Sequence, residues 1–111
     1  MKKLINHCIN SKKPIVSLCI SPTLIAKSLE GTDYNPNLTL GSTQEDSKYN
    51  IHEINNAISS LGSVTIDKTT NELCYDKKLK IITAPCYMMN VKINDVYNNI
   101  KLAIDKLSEI L

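Results

Sequence analysis

The sequence contains no tryptophan, no phenylalanine and no arginine. Without tryptophan or phenylalanine, the chain lacks the usual aromatic platform for stacking nucleic-acid bases. Without arginine, it lacks the residue that most often binds phosphates and base edges through paired hydrogen bonds. The formal net charge is only +2, which is too small to indicate a polyanionic partner. We therefore expect no nucleic-acid partner.

The chain also lacks the cysteine spacing of a zinc site and the apolar runs of a membrane protein. Its four cysteines are Cys8, Cys19, Cys74 and Cys86, and no two of them form a C-x-x-C pair. We therefore expect no metal site and no cofactor. No secretory signal or long apolar stretch occurs, which predicts free thiols in a reducing compartment and no membrane partner. The cytoplasm is the expected location, with mitochondria as the alternative if a targeting segment precedes this sequence.

Length and composition indicate one small globular domain spanning residues 1–111. The chain is 42% hydrophobic and 22% charged, values typical of a folded protein with a core of limited size. Helical and strand patterns alternate along it, which predicts an α/β fold with a mainly parallel sheet and helices on its faces. The predicted helices cover residues 2–10, 22–29, 51–61 and 93–110. The predicted strands cover residues 15–18, 38–40 and 64–66, with a short hairpin formed by 72–75 and 80–83.

The last of these helices has the clearest pattern. Its apolar residues recur at spacings of three and four: Ile93, Val96, Ile100, Ala103, Leu107 and Ile110. Such a stripe predicts a helix face that is buried against the sheet.

One cysteine lies where a predicted buried strand meets a predicted helix. Ser21 and Pro22 indicate the helix start, with serine as N-cap and proline at the first helical position. Cys19 precedes them and is flanked two residues away on each side by Ser17 and Ser21. That spacing of small residues is typical of a nucleophile elbow, here residues 17–22. The helix N-terminus would favour the thiolate form of this cysteine.

Several blocks of this sequence resemble a known family. They are Lys13-Pro14-Ile15 followed by Cys19-Ile20-Ser21-Pro22 and Ala26-Lys27, then Leu38-Thr39-Leu40-Gly41, Leu61-Gly62, and Lys80-Ile81-Ile82-Thr83-Ala84-Pro85-Cys86-Tyr87-Met88. In order and spacing they resemble the C-terminal half of the ElbB (enhancing lycopene biosynthesis) proteins, of the PfpI-like superfamily. The resemblance implies a class I glutamine-amidotransferase-like fold, here a single partial domain over residues 1–111. It would be a partial flavodoxin-like three-layer sandwich.

The resemblance also implies roles for particular residues. Cys19 would be the reactive, catalytic cysteine, and Ser17, Ile20 and Ser21 would support the elbow. Thr83 and Tyr87 would line the substrate pocket, although packing at the sheet edge is the alternative for both. Cys8, Cys74 and Cys86 are expected to be packing residues, and Cys86 stands where the family usually has alanine.

The remaining candidate catalytic groups are expected to lie at the surface. Neither His7 nor His52 matches the histidine of the glutamine amidotransferases, which disfavours that activity. Glu45 and Asp46 lie in a polar segment and are expected to be solvated carboxylates.

Two classes of function remain open. The resemblance implies a glyoxalase or deglycase that attacks a small 2-oxoaldehyde through Cys19, with an acid/base group, expected to be a glutamate, supplied from outside this sequence. The alternative is a catalytically inactive half-domain that acts as an interaction partner or is a remnant. Either a homodimer or a complementary N-terminal half would then cover its exposed sheet edge.

Overall fold

The computed structural model describes residues 1–111 and contains four α-helices and five strands. The helices are α1 (Lys2–Asn10), α2 (Pro22–Ser28), α3 (Ile51–Ser60) and α4 (Ile93–Ile110). The strands are β1 (Ile15–Leu18), β2 (Asn37–Leu38), β3 (Val64–Thr65), β4 (Cys74–Asp76) and β5 (Ile81–Ala84), and a 3-10 turn covers Cys86–Met88. The predicted α/β fold is confirmed. The strands β2, β3 and β4 are shorter than predicted.

Two small sheets form the centre of the protein. The larger has the order β1-β5-β4, in which β1 and β5 are parallel from Ile15↔Ile81 to Leu18↔Ala84. The β4 and β5 strands form the predicted antiparallel hairpin. The smaller sheet is the parallel pair β2-β3. Parallel pairing brings the carboxyl ends of β1 and β5 to the same edge, which is where ligands bind in such folds.

The β1 strand is less buried than its apolar sequence predicts. Ile15, Val16 and Leu18 are only half-buried, and Ser17 is the one buried residue of the strand. The prediction of a buried strand was wrong because β1 pairs only with β5 and lies at the edge of its sheet.

Helices cover both faces of the larger sheet. One hydrophobic cluster joins Ile81 of β5 to residues of α1 and α2, such as Ile9 and Ile25. A second cluster joins Ile82 and Ala84 of β5 to α4. This alternation follows from strand geometry, because successive side chains point to opposite faces. The sheet is therefore the middle of three layers, as the family resemblance implies.

The buried face of α4 differs from the predicted stripe. Ile93 is 72% exposed and Ile100 is also exposed, whereas Val96, Asn99 and Ala103 are buried. The prediction for the two isoleucines was wrong because the helix turns Asn99 toward the sheet, where its amide forms two hydrogen bonds.

None of the helices combines the length and the apolar character that crossing a membrane requires.

Candidate functional site

The site centres on a tight turn that holds Cys19 in a left-handed backbone conformation. Cys19 follows the last residue of β1, and its φ is 62°. Its N–H donates to the Ala84 carbonyl at 3.0 Å, so the turn is tied to β5. A residue with a Cβ atom rarely adopts this conformation, and such strain is concentrated at functional sites. A strand, a tight turn and a helix thus follow one another in the predicted order, and the role of this turn as a nucleophile elbow stays a prediction.

Two serine hydroxyls stabilise the turn through hydrogen bonds within it. The Ser21 hydroxyl donates to the Leu18 carbonyl at 2.8 Å. Since its hydrogen is used there, the Ser17 hydroxyl is the donor in the 2.6 Å bond to Ser21 Oγ. Ser21 therefore stands at the N-cap position of α2 without making a side-chain cap bond. The predicted capping interaction was wrong because Ser21 has helical φ and ψ, and its hydroxyl points back to the strand.

The Cys19 side chain is accessible but has no polar partner. Its residue is half-buried, and no hydrogen bond or ion pair joins its thiol to another side chain. The following residue, Ile20, is 49% exposed and forms an apolar rim beside it. The α2 helix behind the turn has only seven residues, and its effect on the thiolate stays a prediction. The chain therefore presents a strained, accessible cysteine without a neighbouring base.

A second cysteine lies at the same edge in a similar turn. Cys86 follows β5 and Pro85, and its φ is 50°. It is 3% exposed and packs in the α4-facing cluster, against which Cys19 also packs. Burial, together with a smaller contribution from the charge of the nearby Cys19, raises the pKa of the Cys86 thiol from the ordinary 9.0 to about 11, and a hydrogen bond with the Cys19 backbone opposes part of this rise. The two thiols thus act on each other, while Cys86 stays protonated at neutral pH.

The amide of Asn99 holds the second turn in place. Its Oδ1 accepts the Cys86 N–H at 2.8 Å, and its Nδ2 donates to the Glu72 carbonyl at 2.8 Å. Asn99 is fully buried, and its bond with the Cys86 N–H is shielded from water, whereas its bond with the Glu72 carbonyl is partly buried. Sequence reasoning missed both Asn99 and the proximity of Cys86 to Cys19. An asparagine on the buried side of an apolar helix is the one signal that could have indicated this support.

The structure places the two predicted pocket residues differently. Thr83 is fully buried, and its hydroxyl accepts the Thr39 N–H at 3.0 Å, which connects β2 to β5. Burial also raises the pKa of Cys74, and a hydrogen bond from Thr83 opposes that rise. Tyr87 lies on the 3-10 turn and is 51% exposed. Thr83 thus has a structural role inside the protein, and contact of either residue with substrate stays a prediction.

The histidines and the adjacent carboxylates lie apart from the thiol. His7 is exposed on α1 and forms a 3.2 Å contact with Lys13 Nζ. His52 lies with Glu45 and Asp46 around a polar depression of about 270 Å³ at the start of α3. The Asp46 carboxylate accepts from the Asn90 side chain at 2.6 Å, so it connects its loop to the end of the 3-10 turn. No group of three metal-ligating side chains is present.

An apolar groove lies beside the elbow. It has a volume of about 310 Å³ and is lined by residues of α1, β1 and α2, including Met1, Leu4 and Leu24. Ser17 and Ser21 are its polar residues, and Cys19 is not part of its lining. The groove follows the open edge of β1.

Comparison with known proteins finds two curated relatives that are similar to this sequence. The chain is 31% identical over 99 residues to human "glutamine amidotransferase-like class 1 domain-containing protein 3, mitochondrial", covering 88% of this chain and 35% of that protein. It is 27% identical over 111 residues to the rat "ES1 protein homolog, mitochondrial", covering 99% of this chain and 40% of that protein. No family model matches the sequence.

A solved structure has the same fold. It is the isoprenoid biosynthesis protein with amidotransferase-like domain from Ehrlichia chaffeensis, with a TM-score of 0.80 and 25% sequence identity. The match covers 99% of this chain and 45% of the other. The chain thus spans less than half the length of the relatives it matches. In its layered sheet and in its sequence, this chain is therefore similar to part of the ElbB-type proteins with an amidotransferase-like domain.

Proposed function

We propose that Cys19 is a nucleophile that adds to the aldehyde carbon of a small 2-oxoaldehyde, the first step of a glyoxalase or deglycase reaction. The observation that carries the proposal is the left-handed backbone at Cys19, on an accessible turn at the carboxyl edge of a parallel strand pair. A thiolate at this position forms a hemithioacetal with the aldehyde. No cofactor enters this step.

Turnover needs a proton-transfer group that this chain does not place beside the thiol. The hemithioacetal of a 2-oxoaldehyde becomes a hydroxy acid only after a proton moves from one carbon to the next. Neither His7, nor His52, nor any carboxylate forms a hydrogen bond with the Cys19 thiol. We therefore expect that this chain alone binds aldehyde reversibly with little turnover, and that a segment outside it supplies the acid/base group.

Competition between aldehyde and alkylation tests the first step. The folded protein is treated with iodoacetamide with and without methylglyoxal, and each cysteine is followed on its own tryptic peptide. We expect methylglyoxal to protect Cys19 selectively, while Cys8, which is also half-buried, serves as the internal control. Equal protection of both, or of neither, would contradict the proposal. Any hydroxy-acid production should be lost in Cys19→Ser and kept in the matched variant Cys8→Ser.

A second candidate, an interaction role, is favoured by the open edge of β1. Ile15 donates its N–H to the Lys80 carbonyl, just before β5, and Cys19 donates its N–H to the Ala84 carbonyl at the end of β5. Since alternate residues of a strand face each neighbour, the N–H of Val16 points to the unpaired side. The apolar groove runs along this side, and an exposed edge of this kind is a template for strand addition.

The charge around this edge indicates the partner. The first 29 residues contain five lysines and no acidic residue. Two copies of this edge would therefore repel each other, whereas an extended apolar segment flanked by carboxylates would be attracted. We propose such a segment of another polypeptide as the occupant. The relatives are more than twice as long as this chain, which supports an additional strand at this place.

Peptide binding tests this second role. The probe is a synthetic peptide that alternates valine with glutamate, and the control alternates valine with lysine. We expect the acidic peptide to bind, and Val16→Pro to abolish binding because proline removes the outward N–H but is tolerated on an edge strand. Equal binding of both peptides, or dimerisation of the chain that Val16→Pro abolishes, would overturn the choice of partner.

We also propose a cellular location for the protein, which rests on the names of its relatives. The names of the human and rat relatives include the word mitochondrial, which supports the mitochondrial alternative over the cytoplasm. Cell fractionation with an antibody to this chain decides between the two compartments.

A further inference from the structure

The ends of β1 and β5 bring two cysteines to one edge of the sheet. In the parallel register, Leu18 is opposite Ala84. Cys19 is the next residue after Leu18, and Cys86 is the second residue after Ala84. Both have left-handed backbones, with φ of 62° and 50°. The backbone therefore turns sharply after β1 and again after β5, at the same edge of the sheet. Both cysteines pack against the same hydrophobic cluster.

The two cysteines differ in their exposure to solvent. Cys19 is half-buried and open to a small oxidant, whereas Cys86 is buried and shielded from it. Burial, and after it the charge of Cys19, raises the pKa of the Cys86 thiol, so Cys86 keeps its proton at neutral pH. Oxidation would thus begin on Cys19, with a neutral thiol held beside it.

We propose that Cys19 and Cys86 form a peroxide-sensitive pair, in which Cys19 is oxidised and Cys86 resolves it into a disulfide. In the first step the Cys19 thiolate attacks a hydroperoxide: an S–O bond forms, the O–O bond breaks, and the leaving oxygen takes up a proton. The sulfur is oxidised by two electrons and the peroxide is reduced. In the second step the Cys86 sulfur attacks the Cys19 sulfenic sulfur: an S–S bond forms, the S–O bond breaks, and the Cys86 proton leaves with the hydroxyl as water.

The other two cysteines are placed differently. The Cys74 thiol donates to the Asn37 carbonyl at 3.6 Å, on the β4 side of β5. Cys8 lies on α1 and lines the apolar groove. Of the four cysteines, only Cys19 and Cys86, at the ends of β1 and β5, are therefore placed to form the proposed disulfide. It would block the nucleophile of the proposed aldehyde reaction reversibly and protect it from irreversible oxidation.

Peptide mapping tests the pair directly. Lysine is the only basic cleavage residue, so trypsin separates the four cysteines onto four peptides: residues 4–12, 13–27, 69–77 and 81–92. The folded protein is treated with hydrogen peroxide, free thiols are blocked with N-ethylmaleimide, and the digest is analysed without reductant. We expect peptide 13–27 linked to 81–92 within one molecule, and release of both by dithiothreitol.

Variants make the test independent of the wild-type result. In Cys86→Ala we expect a sulfenic acid on Cys19 that dimedone traps and that further peroxide converts to sulfinic acid. In Cys8→Ala the 13–27 to 81–92 link should persist. Sulfinic acid on Cys19 of the wild type without any link, or a link to another peptide or another molecule, would overturn the proposal. The test uses no aldehyde, so its failure and the failure of the proposed function are distinguishable.

Discussion

The turns that follow β1 and β5 share a left-handed backbone conformation but have different surroundings. Each places a cysteine with positive φ at the carboxyl edge of the sheet. The β1 turn is braced by two serine hydroxyls and is open to solvent, whereas the β5 turn is held by Asn99 and covered by α4. The difference follows from strand order, because β1 is an edge strand and β5 is the central one. Position in the sheet thus separates a half-buried cysteine from a buried one.

The largest expected effect comes from removing the support of the β5 turn. Asn99→Ala leaves the buried Cys86 N–H and the partly buried Glu72 carbonyl without their partner, and an unpaired buried N–H is costly. We expect a loss of about 2 to 4 kcal/mol in the free energy of unfolding, measured by urea denaturation. Asn98→Ala, at the exposed neighbouring position of α4, is the control and should change stability little. Similar losses for the two variants would mean that the amide bonds do not hold this turn.

A somewhat smaller effect is expected at Thr83, which lies in β5, the strand before this turn. Thr83→Val keeps the shape but leaves the Thr39 N–H unpaired, at a cost of about 1 to 3 kcal/mol. Thr83→Ser, which keeps the hydroxyl, should recover much of this loss. Alkylation of Cys19 should be equally fast in both variants if Thr83 is purely structural. Slower alkylation in Thr83→Val alone would instead connect Thr83 to the site.

The two turns should also respond oppositely to glycine. Cys19→Gly relieves a left-handed conformation that costs a residue with a side chain about 1 to 2 kcal/mol, so we expect little change or a small gain in thermal stability. Cys86→Gly relieves a similar strain but empties a buried position and should lower the melting temperature. A clear loss in Cys19→Gly would show that the elbow is stabilised by the cysteine side chain.

The smallest effect is expected from alkaline pH. The folded pKa of Cys86, about 11, lies above the ordinary 9.0. Between these two values the unfolded chain releases the proton and the folded chain keeps it, so stability falls as pH rises through this window and is unaffected below it. Urea midpoints on both sides of pH 9 measure the decline. Cys86→Ala should reduce it, whereas an unchanged slope would assign it to another group, such as Cys74 with its raised pKa.

The local elements could be predicted from the sequence to different degrees. The start of α2 at Pro22, the bounds of β1 and the β4–β5 hairpin follow from apolar runs and turn residues close in sequence. The exposure of Ile93 and the burial of Asn99 could not be predicted in this way. The helical spacing of apolar residues predicts that one face of α4 is buried. Which face is buried also depends on polar groups distant in sequence that need a hydrogen-bond partner.

The site shows the same limit. The elbow around Cys19 has a local signature and could be predicted, together with its flanking serines. The position of Cys86 beside it depends on the register between β1 and β5, which no short stretch of sequence contains. The bond that turned Ser21 away from its capping role is equally a property of the folded turn.

The pairing of β1 with β5 has a consequence for the order of folding. The two strands are more than sixty residues apart in sequence, and their parallel contact closes a long loop at a large entropic cost. Contacts of this separation form late and slowly compared with helices or hairpins. The open and the covered cysteine therefore meet only after the chain has acquired its native topology. During refolding, the time at which they become neighbours marks completion of the central sheet, and an earlier link between them would trap an immature chain.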